Sequence, residues 1–211
     1  MPSAAAPHST GTCAAVLLAA GGGSRFVGNH HKLLQPLAGK PVVRWVLEAI
    51  ADAGLSPVIV VTGAVDLAIA LADPLPNNPE VVMVHNERWR NGMAASLQAA
   101  LVVARGRELE AIVVGLGDQP GIPSSAWRAV SGTPAPLAVA TYGGERRNPV
   151  RIHAELWSHL PLDGDEGARS LIRRRPELVT EVACEGSADD IDTLDDVRRW
   201  QSRLAEQRKD V

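Results

Sequence analysis

The stretch VLLAAGGGSRFVGNHHKLL, residues 16–34, sets three glycines directly behind an apolar run, with Arg25 and Lys32 close by. Glycines after a strand let backbone N–H groups approach a ligand with no Cβ in the way, the usual means of cradling phosphate. A guanidinium forks onto two oxygens and an ammonium adds a point charge, so the pair could grip a triphosphate. The plainer account is two surface cations beside a tight turn. Lysine is scarce, with only Lys32, Lys40 and Lys209 in 211 residues, and two of the three lie in this stretch or just after it.

Two carboxylates could serve such phosphates. The segment AIVVGLGDQPGIP, residues 111–123, ends an apolar run at Asp118. A carboxylate at the end of a buried strand beside a phosphate loop is well placed for Mg²⁺, which takes few protein carboxylates and fills its shell with water and phosphate oxygens. A turn or helix-capping aspartate is the alternative. In ADDIDTLDDV, residues 188–197, Thr193 and Asp196 have the spacing of a capping pair, which leaves Asp192 without a capping duty. Asp190 and Asp195 read as solvated.

Spacing excludes other chemistries. Gly23 and Gly28 are followed by Asn29, and AGKP at 38–41 is no better, so a Walker A loop is missing. GGGSRFVG leads into a polar, proline-bearing segment, with no helix expected before Pro41, which disfavours a dinucleotide fingerprint and an oxidoreductase. No GxSxG elbow, HExxH or Cys–His pairing offers a nucleophile or zinc site, and His30, His31 and His153 lack ligand spacing. Cys13 and Cys184 form no CxxC or disulfide framework. The net charge is −3 with acids and bases interspersed, which argues against nucleic acid as a partner. Without a signal peptide or membrane-length apolar run, we expect a cytoplasmic protein with no membrane partner.

The elements that must position these groups alternate. Apolar runs at 14–20, 57–62, 80–85, 111–116 and 136–141 read as strands buried on both faces, as in parallel sheets. Segments at 41–54, 64–73 and 92–106 have helical spacing, with Pro41 suited to a helix start and Gly54 and Gly106 to helix ends. Beyond 141 we expect a strand-like NPVRIH, a helix over about 165–175, a strand LVTEVAC and a final amphipathic helix over 194–207. Right-handed crossovers then give an α/β fold, a three-layer α/β/α sandwich on a Rossmann-like, mostly parallel sheet. Ligands in such sheets bind beyond the carboxyl ends of the strands. We expect a disordered leader over 1–12 and a single domain over 13–211.

LLAAGGGSRF…KLLQPLAGKPVVRWVLEAI resembles the signature LAAGxSxRMGxxKLLxPxxGKPLL of the nucleotidyltransferases, and specifically the molybdenum cofactor cytidylyltransferase branch. The resemblance extends from residue 14 to 200 through GDQP at 117–120, NERWRNGMAASL, GGERRNPV, GDEGAR and DIDTLDDV. It implies a nucleotide-diphospho-sugar transferase type of fold and a nucleotide held by Leu18, Ala19, Ala20, Gly21, Gly22, Gly23, Ser24 and Arg25. Lys32 would sit beside the reacting α-phosphate, and Lys32, Arg25 and Asp118 would be the catalytic groups. Mg²⁺ would be held by Asp118 and Asp192. One departure stands out: RFVG is a residue longer than the family's RMG.

The same resemblance suggests that Ser96, in the first turn of the helix after Gly92, touches the base or ribose; Trp89 and Met93 fit a core role as well. Asn148 and the Gly164, Asp165, Gly167 turn would face the second substrate, although Asp165 also suits a helix N-cap. Arg169 and the Arg173–Arg175 cluster read as solvated helix face. The implied reaction is transfer of CMP from CTP to the phosphate of a molybdopterin-type cofactor, with a molybdoenzyme as recipient. LAAG and GDQP favour CTP over the LAGG of the guanylyl branch. The alternatives are a guanylyltransferase, a transferase for another phosphorylated acceptor, or a carrier that hands on the cofactor without turnover.

Overall fold

The computed structural model describes residues 13–28 and 30–207, so the leader expected over 1–12 lies outside the described residues. The elements run β1 (Cys13–Leu18), β2 (Pro36–Leu37), β3 (Lys40–Pro41), α1 (Val42–Asp52), β4 (Val58–Thr62), β5 (Val81–His85), α2 (Met93–Gly106) and β6 (Ala111–Leu116). Then follow α3 (Ser124–Ser131), β7 (Leu137–Tyr142), β8 (Glu145–His153), α4 (Ala168–Arg174), β9 (Val179–Ala183) and α5 (Leu194–Gln207).

Seven strands make one sheet in the order β5-β4-β1-β6-β8-β7-β9, and β2 pairs with β3 in a small ribbon. Along β1, Ala15 and Leu17 join the core beneath α1 and α3, while Ala14, Val16 and Leu18 join the core beneath α2 and α4. A strand buried on both faces cannot alternate apolar with polar, which is why these runs are uniformly apolar. The three-layer sandwich follows directly.

Only β8 runs against its neighbours in that sheet, antiparallel to both β6 and β7. Its direction is set by the turn at Gly143–Gly144, where both residues have positive φ (59° and 87°). Two such residues between paired strands match the right-handed strand twist and close a two-residue hairpin.

Local structure departs from expectation in three places. Residues 64–73 form only a 3-10 turn over Ala68–Leu71 instead of a helix. The buried Arg44 guanidinium donates to the carbonyls of Ala70, Asp73 and Pro74 at 3.1, 2.7 and 2.5 Å and so ties down the end of this segment. A 3-10 turn at Lys32–Leu34 precedes Pro41, where no helix was expected; His31 caps it. The helix expected over 165–175 begins only at Ala168, because Gly164 and Gly167 adopt positive φ (96° and 47°) outside the helical region.

Strands β1 and β6 are paired to their last residues, Leu18 against Leu116. The glycine loop and the Asp118 loop therefore leave the sheet side by side.

Candidate active site

Beyond that rim, a cavity of about 480 Å³ is lined by the loop from Leu18 to Arg25 together with Lys32, Ser96, Asp118 and Asp192. The amides of Gly21, Gly22, Gly23 and Ser24 enter no hydrogen bond between described residues, so their N–H groups are available to an anion. The loop is held from both sides. The Ala20 carbonyl accepts from Ala64 N–H at 3.0 Å, and the Gly21 carbonyl accepts from His31 Nε2 at 3.0 Å.

The loop around the additional residue of RFVG is anchored from within. Phe26 N–H closes a turn on the Gly23 carbonyl at 2.8 Å, and the Phe26 ring packs on the cluster of Leu37, Val42, Ile191 and Val197. Val27 is 85% exposed, so the longer loop bulges outward there. Arg25 is exposed, and its guanidinium lies 3.0 Å from Asp192 Oδ2.

Asp118 and Asp192 are 74 positions apart in sequence, and backbone pairing unites them. Ile191 N–H donates to the Asp118 carbonyl at 2.9 Å and Ser187 N–H to the Gly121 carbonyl at 3.0 Å. Thr193 and Asp196 cap α5 reciprocally: Asp196 Oδ2 accepts from Thr193 N–H at 2.7 Å and Thr193 Oγ1 from Asp196 N–H at 3.2 Å. The Asp192 carboxylate is thus left for the cavity. Lys32 Nζ bridges the two acids, 2.5 Å from Asp118 Oδ2 and 3.0 Å from Asp192 Oδ1. Burial pulls the Lys32 ammonium toward deprotonation, but the two carboxylates outweigh it and hold its pKa above the ordinary lysine value.

Asp118 Oδ1 is buried and has no hydrogen-bond partner among the described residues. A buried carboxylate oxygen without a donor is costly unless something outside the protein binds it. Two acids facing a loop of unpaired amides fit a divalent ion that draws its remaining ligands from water and a bound anion. No group of three or more His, Cys, Asp or Glu among the described residues could hold a metal without such help.

Ser96 is buried at the start of α2, where its Oγ accepts from Asn86 Nδ2 at 3.0 Å. Trp89 is half-buried and lines the cavity, and its ring meets the glycine backbone: a Cβ on Gly22 would lie 3.1 Å from it. The N-terminus of α2 is partly occupied, because Ala94 N–H donates to the Gly164 carbonyl at 2.8 Å. Gly164 and Gly167 thereby pack the α4 entry against Gly92 and Met93, while Asp165 lines the same cavity as the glycine loop. Asn148 lies apart from them, its Nδ2 donating to Gln119 Oε1 at 2.9 Å.

A second cavity, of about 530 Å³, adjoins the first, and Arg169, Asp190 and Asp192 line both. Asp190 is exposed, as its sequence suggests, but it is not without partners. Gln119 Nε2 donates to it at 2.8 Å, and desolvation together with the Asp118 charge pushes its carboxyl above the usual range. Arg169 likewise faces the cavities and makes no ion pair among the described residues, whereas Arg173 and Arg175 pair with Glu166 and Glu177. From sequence, His31 has no ligand spacing and Asp190 reads as solvated, while Gln119 and Asn86 carry no assigned role, although all four stand inside the quoted motifs.

Residues 15–179 match the family model described as the MobA-like NTP transferase domain. The chain belongs to this family. Among solved structures, this MobA-like chain resembles Rv0371c from Mycobacterium tuberculosis H37Rv at 30% identity and TM-score 0.73, with 91% of this chain and 98% of that one covered. A manganese complex of Rv0371C from the same organism aligns at 28% identity and TM-score 0.72, covering 90% and 98%. A nucleotidyl transferase from Methanothermobacter thermautotroptrophicus, 23% identical over 93% of this chain and 99% of that one, shares the fold at TM-score 0.76. Among curated proteins, the bifunctional protein GlmU of Rhizobium leguminosarum bv. trifolii is 37% identical over 109 residues, or 52% of this chain and 23% of that protein. The chain spans about a quarter of the length of the curated relatives of this kind that it matches. Among the described residues of the MobA-like chain, no helix is long and apolar enough to cross a membrane.

Proposed function

We propose that the protein is a divalent-metal-dependent nucleotidyltransferase that moves CMP from CTP to the phosphate of a molybdopterin-type cofactor and releases pyrophosphate. The observation that carries the reading is Lys32 Nζ bridging Asp118 and Asp192 beneath a glycine loop with undonated amides. Nucleotidyl transfer needs positioning and neutralised charge and no protein nucleophile. An acceptor phosphate oxygen bonds to the α-phosphorus as the bond to the bridging oxygen of the pyrophosphate breaks.

The glycine loop orients the triphosphate, Arg25 and Lys32 draw charge from the phosphates, and Asp118 and Asp192 would hold Mg²⁺. When bound, that ion supplies further neutralisation of the α-phosphate and the leaving group. That the similar Rv0371C was obtained as a manganese complex supports the choice of a divalent ion. Gln119, Asn148 and the second cavity would serve the acceptor, which reaches the α-phosphate past Asp190 and Arg169.

The choice of CTP rests on LAAG and GDQP, and the cytoplasm is the expected setting for a nucleotide and a reduced cofactor. The partial GlmU matches favour a second reading, in which the same machinery serves a different phosphorylated acceptor. Pyrophosphate release with CTP, GTP and ATP in turn, each with Mg²⁺ and the molybdopterin cofactor, tests the reading. We expect CTP to be preferred at least tenfold. GTP used as well as CTP overturns the nucleotide assignment, and turnover with another phosphorylated acceptor but not the pterin overturns the acceptor.

A further inference from the structure

Three of the four oxygens of the carboxylate pair are occupied by the protein's own cations. Lys32 takes Asp118 Oδ2 and Asp192 Oδ1, and Arg25 takes Asp192 Oδ2. Two positive charges thus balance two negative ones where the Lys32 and Asp118 side chains are only 14% and 13% exposed. A divalent ion bound by the same acids would bring two further charges against an ammonium that cannot stay where it is, in surroundings that screen poorly. That ammonium has somewhere to go. Lys32 rides on a flexible four-carbon stem and lines the same cavity as the undonated amides of Gly21–Ser24. Arg25, 79% exposed, is freer still.

Building on the metal reading above, we propose that Lys32 and Arg25 are exchangeable counter-ions of Asp118 and Asp192. They hold the acids together in the absence of ligand and pass to the phosphates when a metal–triphosphate complex takes the acids. The metal alone then binds weakly, because it must expel two cations that gain no anion in return. Polyphosphate alone also binds weakly, because it must strip the cations from their acids. Together each provides the other's partner, so the two ligands are positively coupled and the coupling is reciprocal. Lys32 therefore has a role before any chemistry: it suppresses occupancy of the site by metal without nucleotide.

The test uses the full chain and Mn²⁺ alone, with bound metal read by electron paramagnetic resonance. Lys32→Met should bind Mn²⁺ several-fold more tightly than the wild type. Arg25→Met, at an exposed position that leaves the core untouched, should shift in the same direction by less. In calorimetry, inorganic tripolyphosphate should bind the wild type roughly 5- to 150-fold more tightly with saturating Mn²⁺ than without it, the usual range of coupling between sites. That ratio should shrink in Lys32→Met. Tripolyphosphate carries no base, so the outcome is independent of the CTP assignment. If both variants bind Mn²⁺ no more tightly than the wild type while Asp118→Asn abolishes binding, the exchange is wrong and the metal site stands. If the wild type binds no Mn²⁺ even with tripolyphosphate, or Asp118→Asn binds it equally well, the metal site is wrong and the exchange falls with it.

Discussion

The ring of His31 fastens the glycine loop to the turn that follows it: Nε2 meets the Gly21 carbonyl at 3.0 Å, and Nδ1 accepts from Leu33 N–H at 3.3 Å. With Nδ1 an acceptor, the network assigns the proton to Nε2 and requires the neutral imidazole. Desolvation, with the Lys32 charge adding to it, holds the pKa below the ordinary 6.5 despite the Gly21 carbonyl. The folded protein therefore resists a proton that the unfolded chain accepts. Stability from His31 is present above about pH 6.5 and is lost as pH falls through the lower folded value. The difference in melting temperature between wild type and His31→Ala should narrow from pH 7.5 to pH 5; a constant difference would refute this. At pH 7.5 the same variant should raise the KM for nucleotide more than it lowers kcat.

Asp118→Asn separates an enzyme from a carrier. It keeps the side-chain shape but removes the charge that Lys32 and a metal would share. We expect nucleotide transfer to fall by roughly 10²–10³-fold, the scale of losing one preorganised electrostatic partner. A protein that only carries the cofactor would retain handover to the recipient, and a coupled assay of handover distinguishes the two.

Asp190 is an acid held where ionisation is disfavoured, by desolvation and by the Asp118 and Asp192 charges. Its folded pKa lies above the unfolded value, so its ionisation destabilises the fold at neutral pH. Asp190→Asn keeps an oxygen for Gln119 and should melt higher than the wild type at pH 7. That advantage should vanish below about pH 4, where the unfolded carboxyl is protonated too. A loss of activity alongside the gain in stability would place Asp190 at the reaction.

Gly63 stands where the sheet rim meets Trp89. A Cβ there would lie 2.7 Å from the Trp89 Cβ and 2.8 Å from the Ala20 carbonyl oxygen. Gly63→Ala must push the indole or the glycine loop aside, costing about 1–3 kcal/mol as overpacking does. Denaturant unfolding should register that loss, and the KM for nucleotide should rise with it.

Arg44 provides the contrast, stabilising the fold far from any chemistry. Arg44→Met orphans the carbonyls of Ala70, Asp73 and Pro74 and should cost roughly 1.5–3 kcal/mol, the range for hydrogen bonds to a charged group. Steady-state rates at a temperature where the variant is still folded should stay within a factor of about two.

What could be read in the sequence was what local chemistry determines. Apolar runs located the strands, the glycines and Asp118 followed directly from strand ends, and the Thr193–Asp196 pair singled out Asp192 by elimination. Groups defined by distant partners escaped. Asp190 resembles any exposed loop acid until Gln119 and Asp118 are set beside it, and Arg169 resembles its solvated neighbours until two cavities meet at its side chain. The 64–73 segment has helical spacing but closes only a 3-10 turn, and its end is held by Arg44, more than twenty residues away. The reversed strand had a legible signal in Gly143–Gly144, a two-residue hairpin turn that apolar periodicity alone does not detect.

The docking of residues 187–191 along 118–121 also orders events in time. A chain folded through β8 owns the glycine loop, Lys32 and Asp118 but has no Asp192, because the segment that carries it follows the last strand of the sheet. The acidic pair is completed by a segment that follows β9, so a chain made no further than β8 cannot assemble it. Competence at the rim in this sense reports that every strand of the sheet has already been made.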